Sequence, residues 1–258
     1  MNDPASPTPE TQSVEFSIGF GDSSISARAV VPRGRTTITE LLPVIHRLDS
    51  ALVDAVAAQA VAEGRTISCK AGCGACCRSL VAISIFEAEA LATWIQGLPE
   101  AQRQELARRF DLALRSLAAA GIIDRLVDLK PGDPQAEIEL NTDLKRDYFY
   151  ARVACPFLVD ESCSIHPIRP LICREHLVVT PAENCYDPAL HEVIKLEPPL
   201  LLFPVLNEMG ARVERDGRGW IPLVFLFAWM EAGAHPGRRI SGTGPEVLQA
   251  FVSRVGPA

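Results

Sequence analysis

Cysteine is the residue type whose placement in this chain could do chemistry. All eight cysteines fall in two segments and none lies elsewhere. The first is Cys69-x3-Cys73-x2-Cys76-Cys77, within "SCKAGCGACCRSL"; the second carries Cys155, Cys163, Cys173 and Cys185. Thiolates are soft donors suited to zinc or iron–sulfur clusters. In a reducing compartment such clustering reads as metal ligation rather than as disulfides, and inert core cysteines would be scattered. Were the first run helical, residues 69, 73 and 76 would lie within about 60° of one face, with 77 further round. Neighbouring side chains diverge, so Cys76 and Cys77 do not both complete one tetrahedral site. Either one of them is an outer thiol, or the site holds more than one metal ion. Gly72 and Gly74, lacking side chains, would let backbone N–H groups approach the sulfurs.

Spacing bears on which metal. Only Cys73-x2-Cys76 has the separation of a zinc knuckle, and the gaps of seven, nine and eleven residues in the second segment make none. Three thiolates at x3 and x2 spacing suit an iron–sulfur cluster, whose size tolerates wider ligand separation. A 4Fe-4S cluster is therefore the expected cofactor, with one or two zinc ions as the alternative. With eight thiols available, His166 and His176 are expected as outer hydrogen-bond donors or loop residues rather than as ligands. Lys70, Arg78, Arg169 and Arg174 stand beside the cysteines in sequence and could screen the excess negative charge of a polythiolate site.

The run of four cysteines together with "CPFLVDESCSIHPIRPLICR" resembles the YkgJ-type cysteine-cluster proteins, described as a zinc- or iron-chelating domain. The resemblance covers roughly residues 65–190. It implies that Cys69, Cys73, Cys76, Cys77, Cys155, Cys163 and Cys173 are the metal-site thiols, with Cys185 an eighth, and that Arg169 and Arg174 lie around them. The same residues are similar to the cysteine cluster of flagellin lysine N-methylases, which are linked to an iron–sulfur centre. That likeness implies the cluster, and this chain shows no methyl-donor motif of its own. Cys69-x3-Cys73-x2-Cys76 also has the spacing of the radical S-adenosylmethionine motif. Ala75 stands where that family has an aromatic, and no β-α series follows to build its barrel.

The elements that must position these residues are mostly helical by pattern. Val14–Phe20 and Ile25–Val31 alternate around GDSS as a β-hairpin, the only strand pair expected. A helix is expected over Thr39–Glu63, stopped by Gly64, with Pro43 in its first turn. Ser84–Glu87 is a capping box opening a helix whose buried stripe would be Phe86, Ala90, Leu91, Trp94 and Ile95. Another helix is expected from Glu100 to Ala120, then a polar loop over 131–146. Helices follow over 199–211, 222–232 and 245–254, and the apolar run Ile221–Met230 reads as a buried core helix. The fold expected is mainly α: a single helical domain around a cysteine-rich metal site, with a small N-terminal β-hairpin. Residues 1–12 form a disordered leader, 13–258 the domain, 65–190 its metal region and 191–258 its C-terminal helices.

At 258 residues, with 48% apolar composition, the chain can bury a core without staples. Its net charge of −7 argues against nucleic acid and anionic membranes as partners, and leaves a protein partner open. With no basic and apolar leader and no apolar run of bilayer length, a cytoplasmic location is expected. Neither a Ser-His-Asp order nor a paired-carboxylate motif nor a phosphate loop stands out. Any catalysis would have to come from the metal centre.

Overall fold

The computed structural model describes residues 10–20, 23–70, 72–130, 132, 142–188, 190–233 and 236–255. Alternation in the first strands produces the expected hairpin: β1 (Thr11–Phe20) pairs antiparallel with β2 (Ser23–Pro32), setting Phe16 opposite Ala27 and Ile18 opposite Ile25. Strand β1 starts at Thr11, so residues 11 and 12 of the expected leader are strand; residues 1–9 lie outside the described residues.

The long helix α1 (Ile38–Ala62) is opened by Thr37, whose hydroxyl accepts from the Glu40 N–H while the Glu40 carboxylate accepts from the Thr37 N–H. It closes at Gly64, where φ is +80°. Pro43 sits in the second turn of α1 rather than the first, because the cap lies two residues upstream of the expected start. Helix α2 (Ile85–Gln96) carries the expected Ser84–Glu87 capping box. Its burial is broader than a stripe: Ile85, Phe86, Glu87, Ala88, Leu91, Ala92 and Ile95 are buried, while Ala90 and Trp94 are partly exposed. Helix α3 (Glu100–Ala119) buries Leu106, Phe110, Ala113 and Leu117, and a short α4 (Ile123–Val127) follows Gly121, whose φ is +69°.

The loop expected over 131–146 is only partly loop. Helix α5 (Thr142–Tyr150) begins inside it and buries Leu144, Tyr148 and Phe149. Its apolar period straddles the edge of the polar stretch, which hid it; residues 131 and 133–141 lie outside the described residues. Short α6 (Leu171–Arg174) bears Cys173, and α7 (Phe203–Ala211), α8 (Leu226–Glu231) and α9 (Gly244–Val252) follow among the described residues. The run from Ile221 to Met230 is not one helix. It contributes Ile221 to a strand, turns through a 3₁₀ segment at Leu223–Phe225 and only then enters α8, because residues 220–222 are held extended by pairing with 82–84.

Four further strand pairs correct the expectation of a lone hairpin. They are β3 (Arg35–Thr37) with β10 (Ser241–Thr243), β4 (Ala82–Ser84) with β9 (Trp220–Pro222), β5 (Leu158–Val159) with β6 (Ser162–Cys163), and β7 (Leu177–Val178) with β8 (Lys195–Leu196). Strands of two or three residues are too short to show alternation. The C-terminal region therefore holds strands as well as helices. Helices make up 52% of the structure and strands 17%, so the mainly α class stands.

Two apolar clusters hold these elements. The larger joins the hairpin (Ile18, Val31), α1, Phe86, Leu171, α7 and α9. The smaller joins Ala88, Leu91 and Ile95 of α2 to Leu106, Phe110, Phe157, Ile165, Ile221 and Leu226, with Cys155 and Cys163 packed against it. Helix α2 thus lies between the main core and the layer that carries the cysteines. Among the described residues no helix is long and apolar enough to cross a membrane.

Candidate metal centre

The first cysteine run is not an α-helix. The Ser68 N–H donates to the Val178 carbonyl at 2.9 Å, docking the start of the run on the edge of β7. The Cys69 thiol faces the His176 carbonyl at 3.9 Å and accepts from the Val178 amide. Gly72 takes a φ of +82°, a conformation favourable to glycine, and residues Ala75–Arg78 form a single 3₁₀ turn that holds Cys76 and Cys77. Gly74 serves close packing: a Cβ there would stand 2.5 Å from Glu161 Oε2 and 3.0 Å from Leu158 Cδ1. The glycines thus shape and dock the run, whereas the amides that reach sulfur come from other residues.

Those amides are supplied largely by the second segment. The Cys155 N–H donates to the Cys77 carbonyl at 2.7 Å, joining the two segments directly. The Phe157 amide bonds the Cys155 sulfur and the Ile165 amide bonds the Cys163 sulfur, so each thiol receives the N–H two residues on. An N–H aimed at sulfur stabilises the thiolate form that binds metal. Cys163 lies in the β5–β6 hairpin, opposite Leu158. The hairpin turns through Asp160 and Glu161 at φ +48° and +56°, as a two-residue turn requires. Glu161 then pairs bidentately with Arg78, at 2.6 and 3.0 Å, clamping the hairpin onto the first run. Arg78 is thereby committed to a carboxylate rather than to the thiols.

Helix α6 is held by buried acids and by an arginine. Glu87 accepts from the Leu171 N–H at 2.7 Å while also accepting from the Ser84 N–H and hydroxyl, so one carboxylate fixes the starts of α2 and of the helix bearing Cys173. Glu175 likewise accepts from the Leu202 and Phe203 amides at the head of α7. The Arg174 guanidinium donates to the Arg169 carbonyl, the Pro167 carbonyl and the Ser50 hydroxyl, fixing the loop between Cys163 and Cys173. Arg169 is the cation placed among sulfurs: its charge favours the thiolates of Cys69, Cys76 and Cys163.

Burial raises the Cys69, Cys163, Cys173 and Cys185 thiols and pushes Cys155 up to about 12. Cys76 is raised first by its hydrogen bond with the Cys77 thiol and then by burial. Residue 76 nonetheless keeps the most exposed surface of the eight cysteines, so the effect of its neighbours outweighs that of solvent. These thiols therefore carry protons at neutral pH in the metal-free chain, and a metal must displace them. Among the described residues no three Cys, His, Asp or Glu side chains stand close enough to hold an ion as placed. His166 is bonded to Arg169 at 2.7 Å, and burial lowers His176 to about 4.

One buried group escaped sequence reading. Asp49 of α1 is fully buried, and no N–H or neutral hydroxyl donates to either oxygen. The Arg174 charge and the neighbouring Glu175 carboxyl act against the burial that disfavours its charged form. Burial raises Asp49 to about 7, and burial with the Asp49 charge raises Glu175 to about 8. Only Asp49's place on an otherwise apolar helical stripe could have signalled this.

Residues 68–190 match the CxxCxxCC family model, described as a putative zinc- or iron-chelating domain. The matched span contains all eight cysteines and the residues that carry the resemblance noted in the sequence. No curated protein and no solved structure matches the chain.

Proposed function

We propose, taking the CxxCxxCC segment 68–190 as the premise, that the chain holds an iron–sulfur cluster on its thiols and serves in a redox, sensing or accessory role. The observation that carries this reading is the pair of backbone amides, Phe157 and Ile165, bonded to the Cys155 and Cys163 sulfurs. N–H···S bonds of this kind neutralise thiolate charge and set the potential of a cluster. Such a cluster supplies one-electron chemistry; the chain's own residues orient and screen it. Arg169 offsets negative charge beside Cys69, Cys76 and Cys163, while Phe157 and Ile165, both buried, keep water from the inner sulfurs.

The second reading is a structural zinc domain. It is favoured by Cys155 and Cys163 packing against the smaller core, where a closed tetrahedral site would tie the hairpin to α2 and α3. Metal and sulfide analysis of anaerobically purified protein separates the two. The expected result is brown protein with iron and sulfide in about equal amounts and a broad visible absorption bleached by dithionite. Colourless protein containing zinc without iron or sulfide would overturn the first reading.

A further inference from the structure

His46 lies on α1, far in sequence from the cysteines. Its Nε2 is buried and has no hydrogen-bond partner among the described residues. A buried ring nitrogen left bare costs free energy that a partner would recover. Burial, aided by the charge of Arg174, lowers His46 to about 4, so the ring is neutral at physiological pH. In a neutral imidazole Nε2 either donates or accepts, according to the tautomer.

His46 lines a cavity of about 190 Å³ between α1 and α2. Its apolar walls are Leu42 and Pro43 of α1, Ala90, Leu91 and Trp94 of α2, and Ile168. Leu42 and Leu91 are buried, whereas Pro43 is exposed and marks the opening to the surface. The other polar side chains around the cavity are engaged in holding the fold. Thr39 donates its hydroxyl to Glu89 at 2.6 Å, and Glu40 and Glu87 accept from the Thr37 and Ser84 amides that open α1 and α2. Among the described lining residues, the buried polar atom left without a partner is His46 Nε2.

We propose that this cavity binds a small uncharged ring compound of the phenol class, its ring between Leu91 and Trp94 and its hydroxyl on His46 Nε2. A hydroxyl both donates and accepts, so it satisfies Nε2 in either tautomer. An apolar cavity of about 150 Å³ takes one benzene ring, and sites for drug-sized ligands begin at about 300 Å³. A volume of about 190 Å³ therefore suits one ring with a small substituent and is too small for a nucleotide. The Glu40 and Glu87 carboxyl groups on the wall disfavour an anion, and Trp94 favours an aromatic ring. Recognition rests on α1 and α2 and does not require the metal.

The probe is 4-fluorophenol added to the full-length protein and followed by ¹⁹F NMR. Its line is expected to broaden and shift with wild type and to recover when unlabelled phenol competes, while 4-fluorobenzoate is unaffected. Ala90→Leu fills the cavity and should abolish the effect. His46→Leu keeps the wall apolar and should weaken 4-fluorophenol about tenfold while leaving fluorobenzene unchanged. Circular dichroism establishes which variants fold. A phenol bearing a photoreactive diazirine gives a readout in wild type alone, with cross-links expected within 39–46 and 87–94. An unaltered 4-fluorophenol line, equal binding of 4-fluorobenzoate, undiminished binding by a folded variant, or cross-links confined elsewhere would overturn the proposal. Each of these results leaves the metal reading standing, since metal analysis decides that separately.

Discussion

Several side chains around the centre act by holding backbone rather than by touching metal. Arg174 clamps two carbonyls of the loop before Cys173, and Glu87 fixes the first amide of the helix that presents it. Asp49 is the unusual member, buried without a donor and facing Glu175. Burial raises its carboxyl to about 7, so the folded chain holds a proton that the unfolded chain has released. In that interval the pair binds more protons in the native state and its contribution to stability falls as pH rises, against the smaller opposite effect of His46 and His176, both lowered to about 4 by burial. The loss starts above the unfolded carboxyl range, near about pH 4, and continues until the pair has ionised, at about 7 for Asp49 and about 8 for Glu175. Urea denaturation of metal-free protein at pH 5 and at pH 8 should show the higher midpoint at pH 5. Asp49→Asn should flatten that difference, and an unchanged pH dependence in the variant would refute the assignment.

Among the elements, the exit of the cysteine run is fixed by segments far away in sequence. Strand β4 leaves the run and pairs with β9, and the Ile85 amide at the head of α2 donates to the Gly219 carbonyl at 3.0 Å. Gly219 itself runs against α7: a Cβ there would stand 1.9 Å from the Asn207 carbonyl oxygen and 2.8 Å from the Ala211 nitrogen. These are backbone atoms of a helix and cannot step aside as a side-chain end could. Gly219→Ala should therefore cost about 3 kcal/mol, measured by chemical denaturation. Gly74→Ala, by contrast, meets the flexible end of Glu161 and the Leu158 side chain, a far softer obstruction.

For the whole molecule, the matched segment and the core that supports it do not coincide. The match covers 68–190, whereas the larger apolar cluster draws on Ile18, α1, α7 and α9, all outside that span. Within it, Ile85, Phe86 and Leu171 are buried against those outside elements. A fragment of residues 68–190 would expose these side chains, at a cost of roughly 2 kcal/mol for each large one. The fragment is expected to show no cooperative thermal transition by circular dichroism, with or without zinc. A sharp melt comparable to that of the full chain would contradict this.

The sequence by itself determined the helical class, the first hairpin, the Ser84–Glu87 cap and the two cysteine segments. Each is local: a period, a cap or a spacing leaves its mark within a few residues. It did not reveal α5, whose period crosses a composition boundary, or the two- and three-residue strand pairs, which have no period to detect. Nor did it show that Gly74 makes room for Glu161, that Arg78 is spent on that same carboxylate, or that Asp49 faces Glu175. Those facts join residues dozens of positions apart. Packing alone decides them, because burial and charge act through space and leave no regular trace along the chain.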